Sequence, residues 1–339
     1  MRLAVSGYYG AGNLGDEALL SGMLAALRDE GVDHVRVLSA NPAATRRLHG
    51  VRSVHRGAGL PWALWRAEAL VSGGGGLLQD VTSTRSLRYY LGVIDLARRF
   101  GRRVVVFGQS LGPLSETGRL AVRASLGGLP IGLRDGPSLR LARELGLSAR
   151  HVGDTALLLT ASAADRRDAV VLVPRSGYPR ATTLLADLGR RARDEGIAVE
   201  AAAFGGREDR LEVERLRAAV PDLRLLAAEE PGAMVTALAG ARLVVSARLH
   251  GLVLAAAGGT PHAALSYDPK VEGFATETGA AWWPVPADGA EHDRTLEALG
   301  VALARPSFDA ERVATARDRA LDGVRWLARE ALRGPPHSA

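Results

Sequence analysis

Cysteine is absent from this 339-residue chain, which excludes disulfides, thiolate nucleophiles and cysteine-ligated zinc or iron–sulfur sites. Lysine is nearly absent too: of 43 basic residues, Lys270 alone is lysine. Aromatic residues make up only 5% of the composition, and no long basic block or stacking motif accompanies the net charge of +6. Nucleic acid is therefore not an expected partner. Attraction to anionic substrates or to an anionic membrane surface fits the charge. No apolar run reaches the roughly 18 residues of a membrane span, and Met1–Ser6 leads into a strand-like segment without a secretory leader. A cytoplasmic protein is expected, with peripheral contact at the inner membrane face left open.

What is present is alternation, in a chain long enough for two cores of about 150 residues each. "RLAVSG" (2–7), "ALVSGG" (69–74), "RVVVFGQS" (103–110) and "IGLRD" (131–135) read as buried strands, with helices at 16–30, 86–100 and 115–126. The pattern restarts with "AVVLVP" (169–174), "IAVEAAAF" (197–204), "LRLL" (223–226), "ARLVVS" (241–246) and "HAALSY" (262–267). Helical stretches at 179–195, 207–219, 231–239, 249–258 and 269–278 separate these strands. Such alternation predicts mostly parallel sheets covered by helices.

The polar Asp165-Arg166-Arg167-Asp168 follows the apolar "TALLLT" and puts a domain boundary near 160–168. The expected division is an amino-terminal α/β domain over 1–164, a second over 165–305, and a closing helix and tail over 306–339. The closing helix is the amphipathic "AERVATARDRALDGVRWLAREAL" (310–332). The fold class is accordingly α/β: two doubly wound Rossmann-like domains facing across a cleft, GT-B-like, with the ligand at the carboxyl ends of the strands.

Glycine-rich loops follow several strands. "GYYGAGNLGDEALL" (7–20) opens the first helix, where tight turns and free N–H groups suit an anion or a sugar hydroxyl. It lacks the lysine of a Walker loop, and Asp16 in it reads equally as a helix cap. "SGGGGLLQD" (72–80) puts four glycines at a strand end, as a ligand-facing loop with Gln79 and Asp80 as polar contacts, and "GQSLGP" (108–113) ends the next strand alike. In "GLRDGPSL" (132–139), Arg134 is either an anion clamp or the partner of Asp135, and Arg175 in "VPRSGYP" carries the same ambiguity.

"VVSARLHGLVLAAAGGTP" (244–261) is the most informative stretch. Backbone N–H groups near Leu249–Gly251 would hold a phosphate, Arg248 would clamp it, and His250 could move a proton. One strand later, Lys270 in "SYDPKVEGF" should face the same cleft. A compact ammonium kept among so many arginines is either a selected point charge or a survivor of coding bias.

These blocks, taken in order over residues 3–280, resemble the polysaccharide pyruvyl transferase family, bacterial CsaB type. The resemblance implies transfer of the enolpyruvyl group of phosphoenolpyruvate to a sugar, forming a cyclic pyruvate ketal and releasing phosphate, without cofactor or metal. For that type it also implies an N-acetylmannosamine acceptor on a lipid-linked cell-wall glycan precursor, whose pyruvylated polymer anchors S-layer proteins. Under it, His250 is the candidate general acid, and Arg134, Ser246, Arg248, Leu249, Gly251 and Lys270 bind the donor. Asp16 is the base or positions the acceptor, with Asn13, Gly15, Gly75, Gly76, Asp80 and Gln109 on the acceptor side. Arg134 would then have to reach across from the first domain. The competing readings are a nucleotide-sugar glycosyltransferase using Glu272 or Glu277 for ribose, and a non-catalytic carbohydrate-binding protein.

Overall fold

Short runs of β-branched and small apolar residues, each closed by glycine, serine or proline, fold as parallel strands. The computed structural model describes residues 1–81 and 83–333, so the end of the expected tail, 334–339, lies outside the described residues. Packing divides the chain into two compact units, Met1–Leu158 with the chain from Arg317, and Leu159–Ala316.

In the first unit the order is β1 (Arg2–Ser6), α1 (Leu14–Asp29), β2 (His34–Ser39), α2 (Pro42–His49), β3 (Arg52–His55), α3 (Leu60–Arg66) and β4 (Ala69–Ser72). There follow β5 (Gly75–Leu78), α4 (Thr84–Arg99), β6 (Arg103–Leu111), α5 (Glu116–Leu126), β7 (Ile131–Leu133), α6 (Gly136–Glu144) and β8 (Arg150–His151). The sheet order is β3-β2-β1-β4-β6-β7-β8, with β5 beside β6. Strands such as β4, buried at every position, carry helices on both faces, which is why they read as continuous apolar runs.

The second unit runs β9 (Arg167–Val173), α7 (Pro179–Asp194), β10 (Ala198–Ala201), α8 (Gly206–Ala219), β11 (Arg224–Leu225), α9 (Pro231–Leu238) and β12 (Ala241–Ser246). It continues α10 (Leu249–Ala257), β13 (His262–Ser266), α11 (Pro269–Thr278), β14 (Ala281–Pro284) and α12 (Gly289–Ala304), and α13 (Ala310–Leu332) crosses into the first unit's segment. Its sheet order, β11-β10-β9-β12-β13-β14, is the dinucleotide-fold order, whose direction of winding reverses between β9 and β12. In the first unit the reversal falls between β1 and β4. Both units are thus Rossmann-like, and the GT-B-like fold class holds.

The boundaries differ from the expected 164/165 and 306 for a packing reason. "TALL" forms a 3₁₀ turn on α1, with the Thr155 hydroxyl donating to the Leu19 carbonyl at 2.8 Å. Ser162 already belongs to the second unit through its N–H to Thr236 at 3.0 Å. α13 is shared, since Val324, Leu327, Ala328 and Ala331 complete the first unit's core while Arg312 donates to the Thr276 carbonyl. Half of the glycine run read as a loop is instead strand β5. Among the described residues, no helix is long and apolar enough to cross a membrane.

The start of β13 carries a pH-dependent contribution to stability. His262 is 4% exposed, with Nδ1 donating to the Thr260 carbonyl at 2.9 Å, and burial pushes its pKa below the ordinary 6.5. The unfolded chain therefore takes up the proton first, and stability is lost as pH falls through about 6.5. Urea midpoints measured from pH 7.5 to 5 should fall, and fall less in His262→Asn; parallel profiles would exclude His262 as the source.

Candidate active site

The ends of β9, β12 and β13 lie side by side, at and next to the winding reversal of the second unit. Ser246, the last residue of β12, is fully buried; its hydroxyl donates to the Arg248 carbonyl at 2.7 Å and accepts the Arg248 N–H at 3.0 Å. Ser246 therefore shapes the turn, and its hydroxyl is spent within it. Gly251 is needed by close approach, because a Cβ there would sit 2.3 Å from the Ser246 hydroxyl. Leu249 is a core side chain, 6% exposed. Gly251 donates its N–H to the Arg248 carbonyl at 3.1 Å, so an amide contact to a ligand falls to the N–H groups before it at the start of α10. His250, the second residue of that helix, is half-buried.

Arg248 has a partner that lies far away in sequence. Its Nε donates to one carboxylate oxygen of Asp209 at 2.7 Å and Nη2 to the other, and Asp209 is completely buried in the first turn of α8. The same carboxylate accepts the Ser176 N–H at 3.1 Å. One acid thus ties the loop after β9 to the loop after β12, leaving Nη1 as the guanidinium nitrogen not engaged by Asp209.

Arg175, just beyond β9, stacks 4.2 Å from the ring centre of Tyr267 and 5.6 Å from that of Tyr178; the two rings are 4.3 Å apart. Its Nε is buried without a hydrogen-bond partner. Burial pushes the Tyr267 hydroxyl up to about 12, against the opposing pull of Arg175 and Arg248, so the phenol stays protonated near neutrality. Asp268 caps α11 by accepting the Lys270 N–H at 3.1 Å, and its other oxygen meets the Lys270 ammonium at 2.8 Å. Lys270 is held at this edge with 24% of its side chain exposed.

Helix starts divide into capped and uncapped ones, and α11 and α12 of the second unit, at Asp268 and Asp288, are among the capped. Asn13, Ser83, Ser115 and Asp135 each accept an N–H from the first turn of α1, α4, α5 and α6. α7, α8, α9 and α10 begin at Tyr178, Gly205, Glu230 and Arg248 with no side-chain cap. Their leading N–H groups have no side-chain acceptor at the cap position, which leaves partial positive charge at those helix starts.

In the first unit, Asn13 is the cap of α1, accepting from Gly15 at 3.0 Å and from Asp16 at 3.4 Å, so it is Asn13 rather than Asp16 that starts the helix. Asp16 is 6% exposed, and its Oδ1 lies 2.7 Å from where a Cβ on Gly75 would be. With φ at +116°, Gly75 is left-handed as well as crowded, and no other residue type fits both conditions. Gly76 follows it in β5, half-buried. Gln109 is fully buried and donates to Ser72 at 2.8 and 3.2 Å, while its Oε1 has no partner.

A model of the polysaccharide pyruvyl transferase family matches residues 13–269, about three quarters of the chain. The chain belongs to that family. The transferase is thus an enzyme acting in polysaccharide pyruvylation. No match is found among curated proteins. Solved structures share the fold at low identity. Anabaena Alr3699/HepE in complex with UDP-glucose is 13% identical over 98% of this chain and 99% of its own, with a TM-score of 0.66. UDP-GlcNAc 2-epimerase from Neisseria meningitidis is 10% identical over 98% and 100%, at 0.62. S. aureus MnaA with UDP is 10% identical over the full length of both chains, at 0.67.

Two residues expected to contact ligand in the transferase also have partners within the scaffold. Arg134 is 4% exposed; its Nε donates to the Ser110 hydroxyl at 2.8 Å and its Nη1 to Asp154 at 3.1 Å, beneath the first unit's sheet edge. Its ion-pair partner is Asp154 rather than Asp135, whose nearest oxygen is 4.0 Å away. Asp80 accepts the Ser115 N–H at 2.8 Å and also the Ser115 hydroxyl, joining the end of β5 to the start of α5, and that hydroxyl contact holds its carboxyl below the usual range. Conversely, the buried Glu17, bonded to the Gly10 N–H and to His49 at 2.7 Å each, organises the first glycine loop, a role its place beside Asp16 in that block does not announce.

Proposed function

We propose that the transferase moves the enolpyruvyl unit of phosphoenolpyruvate onto a sugar and closes it into a cyclic pyruvate ketal, releasing phosphate. The observation that carries this reading is the gathering of Arg175, Arg248, His250 and Lys270 on three adjacent strand ends, beside the uncapped starts of α7 and α10. A small donor carrying both phosphate and carboxylate calls for several cations at short range. Helix N–H groups suit the phosphate, and a planar guanidinium stacked on Tyr267 suits the carboxylate.

His250 protonates the methylene carbon, leaving oxocarbenium character at the adjacent carbon. A sugar hydroxyl attacks that carbon and yields its proton to a base, for which Asp16 is the proposed residue. The carbon–oxygen bond to phosphate then breaks, and a second hydroxyl of the sugar closes the ring, its proton leaving to phosphate or solvent. Two hydroxyl hydrogens are consumed, one proton is gained by the new methyl group, and phosphate is the only other product. In this reading Asn13, Gly15, Gly75, Gly76 and Gln109 are the acceptor contacts. The acceptor proposed is N-acetylmannosamine of a lipid-linked cell-wall glycan precursor, as in the CsaB type.

Phosphate release is the test. Purified protein with acceptor should release phosphate from phosphoenolpyruvate and leave UDP-sugars untouched; turnover with the nucleotide sugar alone would replace this reading by glycosyl transfer. Lys270→Arg should raise the KM for phosphoenolpyruvate about tenfold, equivalent to about 1.4 kcal/mol, because a planar head cannot occupy a point-charge site beside Asp268. Unchanged kinetics would make Lys270 only the partner of the α11 cap.

A further inference from the structure

Helix α3 carries an outer face that its own packing does not explain. Ala63 and Leu64 point into the core with no exposure, whereas Trp62 and Trp65 are 45% and 62% exposed on the opposite side. Three of the five tryptophans lie elsewhere and none of those is exposed. Seven residues thus present two indoles to solvent, where single-turn solubility would favour polar side chains.

Arginines surround the indoles. Arg36 lies 4.4 Å from the ring centre of Trp62, and Arg66 lies 6.0 Å from Trp62 and 5.5 Å from Trp65. Partial burial and the neighbouring charges of Arg52, Arg66 and Arg2 hold the Arg36 guanidinium below its ordinary range, an electrostatic sign of cations crowded together. Arg2 pairs with Glu68 at 3.3 Å, but among the described residues no carboxylate pairs with Arg36, Arg52 or Arg66. Uncompensated like charges around exposed indoles are retained at a cost to the isolated fold.

We infer that the α3 face docks on an anionic phospholipid membrane. Indole rings settle at the boundary between headgroups and acyl chains, and guanidinium groups reach lipid phosphates, so the surface matches both layers of the interface at once. Charge complementarity selects the anionic leaflet among apolar partners. A surface made of indoles alone would not distinguish it.

The full chain should co-sediment with vesicles containing about one-third phosphatidylglycerol and stay in solution with phosphatidylcholine alone. Trp62→Ala/Trp65→Ala and Arg52→Ala/Arg66→Ala should each weaken binding about tenfold, and roughly 0.5 M salt should do likewise by shortening the screening length. The single Trp65→Ser, at the more exposed position, repeats the test should the double variant melt early. Binding unaffected by these substitutions would overturn the inference. So would no binding at all, or the same residues instead mediating self-association or capture of a nucleic-acid oligomer. The readout is vesicle binding, so the inference fails or stands separately from the phosphate-release test.

Discussion

His250→Ala is expected to lower kcat by roughly 10²–10⁴-fold while leaving the affinity for phosphoenolpyruvate nearly unchanged. The step removed is proton delivery to the methylene carbon, without which the neighbouring carbon does not become electrophilic. In the proposed reading, phosphate and carboxylate are held by other groups, namely the α10 amides, Arg175, Arg248 and Lys270. Substitution at the second position of α10 leaves the Ser246 turn and the Gly251 contact in place, so the helix start is preserved. Single-turnover rates and donor binding by calorimetry separate the two effects. A variant that turns over normally would show that another group is the acid. A variant that loses affinity in proportion to rate would place His250 on the phosphate instead of on the carbon.

The strand–helix alternation, most element positions and the ordered glycine-rich blocks are legible in sequence because they depend on local periodicity and on residues a few positions apart. β2 and β3 escape it: "HVRVLS" carries an arginine that faces the α3 side, and Arg52 and His55 expose the edge strand, so neither shows an apolar run. The glycine run conceals β5 because glycine carries no apolar signal, although Gly75 and Leu78 pair with β6. Site residues are legible as positions but not as roles. Arg134 and Asp154, or Arg248 and Asp209, stand 20 and 39 residues apart, and only the sheet order brings them together. Arg175 gains its place from Tyr267, which the sequence sets on a different strand end. Capping is the one role sequence misplaces locally: Asn13 and Asp16 are both good acceptors, and the turn geometry decides between them.

Asp209→Ala should lower the unfolding free energy by about 3 kcal/mol, the low end for breaking a buried ion pair, because Arg248 keeps 18% of its side chain in water and can rehydrate. Arg248→Ala should cost more, since it strands a carboxylate that has no exposure at all. A paired replacement, Asp209→Leu with Arg248→Met, should recover much of the stability and give a large coupling term in the double-mutant cycle. Catalysis should respond differently. Both single variants release the loops after β9 and β12 that Asp209 ties together through Ser176 and Arg248, so Arg175 and His250 lose their alignment. The stable double variant should therefore remain poor in kcat/KM for phosphoenolpyruvate, even with its fold restored. Urea unfolding and donor titration on the same four proteins decide it. If the double variant regains donor affinity along with stability, Arg248 serves only the fold; if stability does not change in either single variant, the carboxylate is not the anchor of this edge.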